Sequence, residues 1–156
     1  MAALTGDLNI STYGDVLLAP MIANDADTYF QGAIVYYDEA GGVQVTHAAG
    51  DRVCGISLKQ QTVAAGDEVQ VCIKGLIWFP AITPIAATDE GHRLQWDLGD
   101  TPTDNIDTCD SSLSMTEAAG DLSVGWIIRY TAARTLIYIS PGITGAESVG
   151  TAGTWD

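Results

Sequence analysis

Apolar residues fall in short runs along this chain, and turn residues separate one run from the next. Residues 33–37 are mostly β-branched or aromatic, residues 43–47 alternate between apolar and polar, and residues 38–42 between them contain an aspartate and two glycines. Two such runs joined by a short turn predict a β-hairpin. Residues 124–139 predict a second hairpin, with its turn at 131–134.

Three further apolar runs are predicted to be strands. They cover residues 52–58, 69–79 and 93–97, and Gly75 interrupts the second run at a point where a bulge or bend fits. Residues 84–88 are predicted to form a short helical turn or a loop. No segment longer than about ten residues keeps the spacing of an amphipathic helix. The pattern predicts an all-β fold: a small β-barrel or sandwich of short strands and tight turns, with an extended N-terminal arm and little helix.

The tripeptide Ala-Gly-Asp precedes an apolar strand three times, at residues 49–51, 65–67 and 119–121. Glycine adopts positive φ without steric cost, and an aspartate side chain can accept hydrogen bonds from nearby backbone N–H groups. The repeated unit is therefore predicted to be a tight turn. A repeated turn indicates a structural or binding module rather than an enzyme.

The chain divides into three predicted parts: an N-terminal arm or edge strand (1–28), a β-barrel or sandwich domain (29–142) and a flexible C-terminal tail (143–156). Pro20 lies in the apolar run 16–22 and has no N–H to give to a sheet, which favours an edge strand or an arm that becomes ordered on a partner. Both alternatives stay open here.

Two further segments are candidates for contact with a partner. Residues 98–118 are rich in Asp, Thr and Ser and are predicted to form a long exposed loop, which in a compact domain is usually functional or poorly ordered. Trp155 lies in the tail, where it has no local core to join, and is a possible anchor.

The charge of the chain is strongly one-sided. Its 156 residues include 20 acidic and 6 basic residues, a net charge of −14. Nucleic-acid binding needs clustered Lys and Arg, whereas the basic residues here are isolated, so direct nucleic-acid binding is disfavoured. An acidic surface fits a basic partner, solubility at high local density, or a salty habitat.

Residues 1–7 show no signal peptide and no run is long enough to span a bilayer, so we expect a soluble protein made in the cytosol, without a membrane partner.

Residues that could carry chemistry are few. Cys54, Cys72 and Cys109 are predicted to be ordinary thiols, the alternatives being a Cys54–Cys72 disulfide or a reactive Cys109. The acids of residues 104–110 lack the glycine and closing glutamate of an EF-hand and are predicted to be solvated. No nucleophile motif surrounds His47 or His92. We therefore predict no catalytic residue, no metal site and no cofactor.

With the strands laid out, residues 32–142 resemble the small β-rich phage capsid decoration (cement) proteins. The resemblance rests on the hairpin 32–46, Val-Cys-Gly-Ile-Ser at 53–57, Ala-Ala-Gly-Asp-Glu-Val-Gln-Val at 64–71 leading to Lys-Gly-Leu, Arg-Leu-Gln-Trp-Asp at 93–97, and the closing stretch 124–142. It is a pattern of turns and strands without a catalytic signature. The segments before residue 29 and after residue 142 lie outside it, and the loop 98–118 is longer than the family's usual connection.

The resemblance implies a homotrimeric structural protein of the virion that binds the major capsid protein on the outside of a bacteriophage head and reinforces it. We expect it to be made in the host cytoplasm and located on the capsid exterior. Our own hypothesis for the capsid contact is the N-terminal segment, through the side chains of Leu8, Ile10, Tyr13, Val16, Leu17 and Leu18. The rival hypotheses are a receptor- or glycan-binding module using Trp96, Trp126 and the loop 98–118, and a small hydrolase using His47 or His92.

Overall fold

A computed structural model describes residues 6–46, 52–80, 85–96, 113–114 and 122–141 of the chain. Over these residues the protein is all-β, as predicted, and its helix is limited to one 3-10 turn, Ala87–Asp89. The strands are β1 (Ser11–Ile22), β2 (Asp27–Tyr29), β3 (Ile34–Tyr37), β4 (Val43–Gln44), β5 (Arg52–Ile56), β6 (Gln61–Val63), β7 (Glu68–Pro80), β8 (Arg93–Trp96), β9 (Leu113–Ser114), β10 (Leu122–Tyr130) and β11 (Arg134–Ile139).

The long strand β7 is the centre of the main sheet, whose strand order is β4-β3-β5-β7-β11-β10-β8-β9, with β1 also paired to β7. Both β1 and β5 pair with Cys72, and both β1 and β11 pair with Leu76. A strand has only two hydrogen-bonding edges, so β1 occupies one edge of β7 while β5 and β11 share the other. Strands β2 and β6 form a separate two-stranded sheet.

The sheet curls, and two apolar clusters lie against its faces. Ala23, just after β1, forms a parallel bridge with Val43 of β4, which brings the β4 edge of the sheet beside the end of β1. Cluster one is centred on Ile34, Tyr36, Ile56, Cys72, Ile77, Phe79, Ile127 and Ile137, and cluster two on Tyr29, Val35, Val43, Cys54, Val69 and Val71. Strand β3 contributes alternate residues to both clusters, which explains its unbroken apolar run.

Gly75 marks the joint between the two halves of β7. Before it, Cys72 faces cluster one; after it, Ile77 and Phe79 do, so the inward-facing positions change from even to odd. The register between β1 and β7 shifts at the same place. Gly75 has φ +143°, and a Cβ built on it would lie 2.6 Å from Cγ1 of Val16. The bulge or bend predicted at this glycine is confirmed.

The predicted turns are confirmed where the structure describes them. In the β3–β4 hairpin, the N–H of Asp38 donates to the carbonyl of Gly42 and the N–H of Gly41 donates to the carbonyl of Asp38. In the second Ala-Gly-Asp copy, Oδ2 of Asp67 accepts from the N–H of Ala64 at 3.0 Å. The copies at 49–51 and 119–121 lie outside the described residues.

The ends of the chain and the predicted loop differ in how much of them is described. Two alternatives were open for the N-terminal segment, and the structure has the edge strand: residues 11–22 form β1. Strand β2 crosses the predicted boundary between residues 28 and 29. Within the predicted loop 98–118, residues 113–114 pair with β8 as strand β9, so this part is not a loop. The predicted tail, 143–156, lies outside the described residues.

Replacing Gly75 with alanine is expected to lower the free energy of unfolding by about 2 to 4 kcal/mol, because the new methyl group is forced into an unfavourable φ and into Val16. The measurement is urea denaturation followed by tryptophan fluorescence. Gly14→Ala is the matched control: its φ is +75° but no atom lies within 4 Å of the added carbon, so a loss of about 1 kcal/mol is expected. Equal losses in the two variants would contradict the close contact at Gly75.

Candidate functional site

The six residues predicted to contact a capsid divide into an inner and an outer set. Leu8, Ile10 and Val16 are half-buried, and the last two pack against cluster one. Tyr13, Leu17 and Leu18 are exposed on β1, at 61%, 53% and 44% of their surface. The inner set holds the N-terminal segment to the domain. The outer set remains available to a partner.

Backbone hydrogen bonds hold the segment before β1 in place. The N–H of Leu8 donates to the carbonyl of Gln31 at 2.9 Å, and Nε2 of Gln31 donates to the carbonyl of Leu8 at 2.7 Å. The Leu8 side chain lies against Gly32, where an added Cβ would come within 2.8 Å of it. Leu8 therefore helps to hold this segment in place, and less of its side chain is exposed than of Tyr13. Its role in binding stays a prediction.

The outer edge of β1 has no partner strand among the described residues. Gln61 uses its side-chain amide to bond both the N–H and the carbonyl of Gln70 at 2.9 Å. The backbone N–H and carbonyl of Gln70 therefore point away from β1, so Gln70 and its register partner Pro20 form a non-hydrogen-bonded pair. The backbone groups of Pro20 then point away from β7. Those of Leu18, two residues earlier, point the same way, because hydrogen-bonded and non-hydrogen-bonded pairs alternate along antiparallel strands. Pro20 therefore costs no hydrogen bond within the sheet. No described strand pairs with β1 on this side between Ser11 and Ile22.

The free edge ends at Ala23. There the N–H of Asn24 donates to the carbonyl of Val43 at 2.8 Å, and the carbonyl of Ile22 lies close to Gly42. Strand β4 thus covers the end of the edge. A partner strand would have access to the part of β1 before this point, where Leu17 and Leu18 are exposed.

Register places a second group of side chains together on the face of the sheet opposite cluster one. Residues directly opposite each other in antiparallel strands share a face, so Tyr13, Leu76, Tyr138 and Trp126 form one row across β1, β7, β11 and β10. Ser11, Trp78, Leu136 and Arg129 form the next row. We call these eight residues the outer face. The exposed Ile128 is the extra residue of a β10 bulge between Trp126 and Arg129.

Arg134 closes one end of the outer face. Its guanidinium lies 4.0 Å from the centroid of the Trp78 ring, a cation–π contact that helps to leave this tryptophan only 8% exposed. Beside this pair is a hollow of about 310 Å³ lined by Asn9, Ser11, Trp78, Phe79, Pro80, Ala133 and Arg134. A second hollow, of about 300 Å³, lies between Leu17 and Tyr138 and is bordered by Asp15 and Lys74.

The aromatic residues of the strands differ in where they lie. Phe79 packs in cluster one, Trp78 is buried on the outer face beside Arg134, and Trp126 and Tyr138 are half-buried on that face. The sequence does contain a signal for side chains on both faces of β7: residues 76–79 are apolar at successive positions, which is typical of a strand covered on both sides. Trp155, residues 98–112 and the Trp96 side chain, which were also candidates for binding, lie outside what the structure describes.

The described cysteines are buried core thiols. Cys54 and Cys72 are free and belong to different clusters, which places them on opposite faces of the sheet and separates them for disulfide formation. Burial raises the pKa of the Cys54 thiol to about 11, although the Tyr37 hydroxyl donates a hydrogen bond to its sulfur. Burial likewise raises the pKa of Cys72. Neither thiol has the lowered pKa of a nucleophile. Cys109 lies outside the described residues.

The other chemical candidates form no constellation within the described ranges. His92 is exposed; its backbone N–H donates to the Asp89 carbonyl, and its own carbonyl accepts from the N–H of Ile127. His47 and residues 104–110 lie outside these ranges. The part of the chain that the structure describes brings together no three His, Cys, Asp or Glu side chains able to hold a metal ion.

No family model matches the sequence, and none of the curated proteins or solved structures matches it either. In the described ranges, no helix has the length and apolar character needed to cross a membrane.

The free energy of unfolding is expected to fall as the pH rises from about 9 to about 11. Cys54 ionises near pH 9 when unfolded but near pH 11 when folded, so in this window the unfolded state loses its proton first and is favoured. Urea denaturation across the window measures the slope. Cys54→Ala should show a shallower decline, and an identical slope in the two proteins would contradict the burial of this thiol.

Proposed function

We propose that this chain is a structural virion protein that decorates a bacteriophage head by binding the major capsid protein through strand β1. The observation that carries the proposal is the outer edge of β1, which pairs with no strand of the described residues and combines outward-facing backbone with the exposed side chains of Tyr13, Leu17 and Leu18. It is supported by the resemblance of residues 32–142 to decoration proteins. The proposal assigns no catalytic residue, metal or cofactor.

An edge of this kind recognises a partner by strand addition. The backbone of an added strand would bond the outward N–H and carbonyl groups around Leu18, while Leu17 and Leu18 would bury their side chains against it. Edge strands with exposed apolar residues are prone to unwanted pairing, and Pro20 limits that pairing by removing one donor. The remaining edge is short, which favours a specific partner over general aggregation.

The rest of the fold suits a mechanical role. Strand β1 is bonded along one edge of β7, and the other edge of β7 is bonded to β5 and β11, so a pull on β1 is distributed over the main sheet. Many copies on one head, in trimers as the resemblance implies, would add avidity to modest single contacts. The acidic surface would face solvent, and the proposal includes no contact with nucleic acid or membrane.

The double variant Leu17→Asp/Leu18→Asp is expected to bind heads at least tenfold more weakly than the wild type, because it places two charges in an apolar contact. Binding is measured by co-sedimentation with heads that lack this protein. Point substitutions are a cleaner test than deletion of residues 1–20, because Ile10 and Val16 pack against cluster one and their removal would expose the core.

The matched control for this test is Ile128→Asp. Ile128 is 43% exposed, close to the 44% of Leu18, but lies on β10 away from the edge. The control should bind heads like the wild type. Undiminished binding by the Leu17/Leu18 variant, with its fold verified by circular dichroism, would show that β1 is not the contact.

A further inference from the structure

The outer edge of β1 carries a row of exposed apolar side chains. Leu18, Pro20 and Ile22 are exposed and alternate along the strand, so their side chains share one face of the sheet. The register with β7 is regular over these residues, so the backbone groups of Ile22 point outward like those of Leu18 and Pro20. A strand added here would meet outward backbone groups and an apolar row with the same period of two residues.

The turn of the β3–β4 hairpin fixes where such a strand must stop. Ala23 forms a parallel bridge with Val43, so the residues before Ala23 lie beside the residues before Val43, which are the turn 38–42. The carbonyl of Ile22 lies close to Gly42 of this turn. An added strand on the outer side of β1 would therefore end against the turn, beside Ile22.

Carboxylates surround the place where the added strand would stop. Three segments meet there: residues 22–25, 38–42 and 64–68. The N–H of Ala23 donates to the carbonyl of Asp67 at 2.9 Å, and the side-chain amide of Asn24 donates to Oδ2 of Asp38. Together the three segments contain no basic residue and five acidic ones: Asp25, Asp38, Glu39, Asp67 and Glu68.

Glu39 and Glu68 have carboxylates available to a partner at this place. Asp38 and Asp67 use theirs to accept backbone N–H groups of their own turns. The side chains of Glu39 and Glu68 are exposed, and neither forms a hydrogen bond or an ion pair with another described residue. Glu68 lies directly opposite Ile22 across the β1–β7 pair, and Glu39 lies in the turn.

The charge at this end of the edge stays negative when the bases of the neighbouring strands are counted. Arg52 lies opposite Tyr37, on the side of β3 away from β4, and Lys74 lies opposite Leu17, further from the stop. These two bases do not balance five acids, and the whole chain has a net charge of −14. A second copy of this chain would add its own negative charge here. The charge therefore favours a basic partner.

We propose that the edge of β1 takes an extended segment of a basic partner, with apolar residues at alternate positions and a lysine or arginine at the end that stops beside Ile22. The apolar residues would cover the row from Leu18 to Ile22, while the backbone of the segment bonds the outward groups of β1. The basic side chain would pair with Glu39 and Glu68. This pairing would fix the register, because a slip of one residue turns the apolar side chains to the opposite face. The inference rests on the proposed function, since it gives the chemistry of the capsid segment that the same edge would bind.

The double variant Glu39→Lys/Glu68→Lys is expected to bind heads that lack this protein about tenfold more weakly than the wild type at low salt, because repulsion replaces attraction at the end of the edge. The difference should shrink as salt is added, since salt screens exposed charges. Glu39→Gln/Glu68→Gln, which removes the charges without reversing them, should be intermediate. Binding is measured by co-sedimentation over a series of protein concentrations.

The control is Glu90→Lys, compared with Glu39→Lys and Glu68→Lys made singly. Glu90 is exposed and lies beside a turn that is bonded to β10, and β11 and β7 separate β10 from β1 in the strand order. The control should bind like the wild type, apart from a small effect of net charge, and each single variant at the edge should bind more weakly than the control. Thermal melting verifies that every variant is folded.

Two results separate this inference from the proposed function. If Leu17→Asp/Leu18→Asp binds weakly while Glu39→Lys/Glu68→Lys binds like the wild type at low salt, the edge is the contact but its partner segment is not basic, and only the inference is overturned. If Leu17→Asp/Leu18→Asp binds normally, the edge is not the contact, and the inference fails together with the proposed function.

Discussion

Backbone hydrogen bonding along both edges of β7 is the constraint on which the rest of this structure depends. Strand β1 occupies one edge, while β5 and β11 share the other on either side of Gly75. The positive φ of that glycine changes the inward-facing residues of β7, so that Cys72 and Ile77 contribute to the same cluster. One strand thereby joins two halves of a curled sheet whose two faces carry separate apolar clusters.

The same constraint produces the surface through which we propose that the protein binds. Because β1 takes one whole edge of β7, its own outer edge becomes the edge of the sheet, and Pro20 is accommodated there without loss of a hydrogen bond. Its side chains divide between the interior and solvent. Ile10 and Val16 anchor the strand to cluster one, and the exposed Leu17 and Leu18 are held in place by that anchoring.

Local features were predictable from the sequence, and long-range register was not. The β3–β4 and β10–β11 hairpins follow from short turns between apolar runs, and the bend at Gly75 follows from a glycine within a strand. Tyr13 and Leu76 lie side by side only because two strands more than 60 positions apart in the sequence pair in one particular register. No local pattern specifies that register. The face that Trp78 occupies was not predictable, because an aromatic residue in a strand has the same local pattern on either face; its contact with Arg134 depends on the β7–β11 register.

The exposed part of β1 faces sideways from β7. A protein held by this edge would keep the Pro80 end of β7 free for its neighbours. Neighbouring copies on one head would reinforce one another, because each bound edge adds avidity without requiring a large interface in any one place.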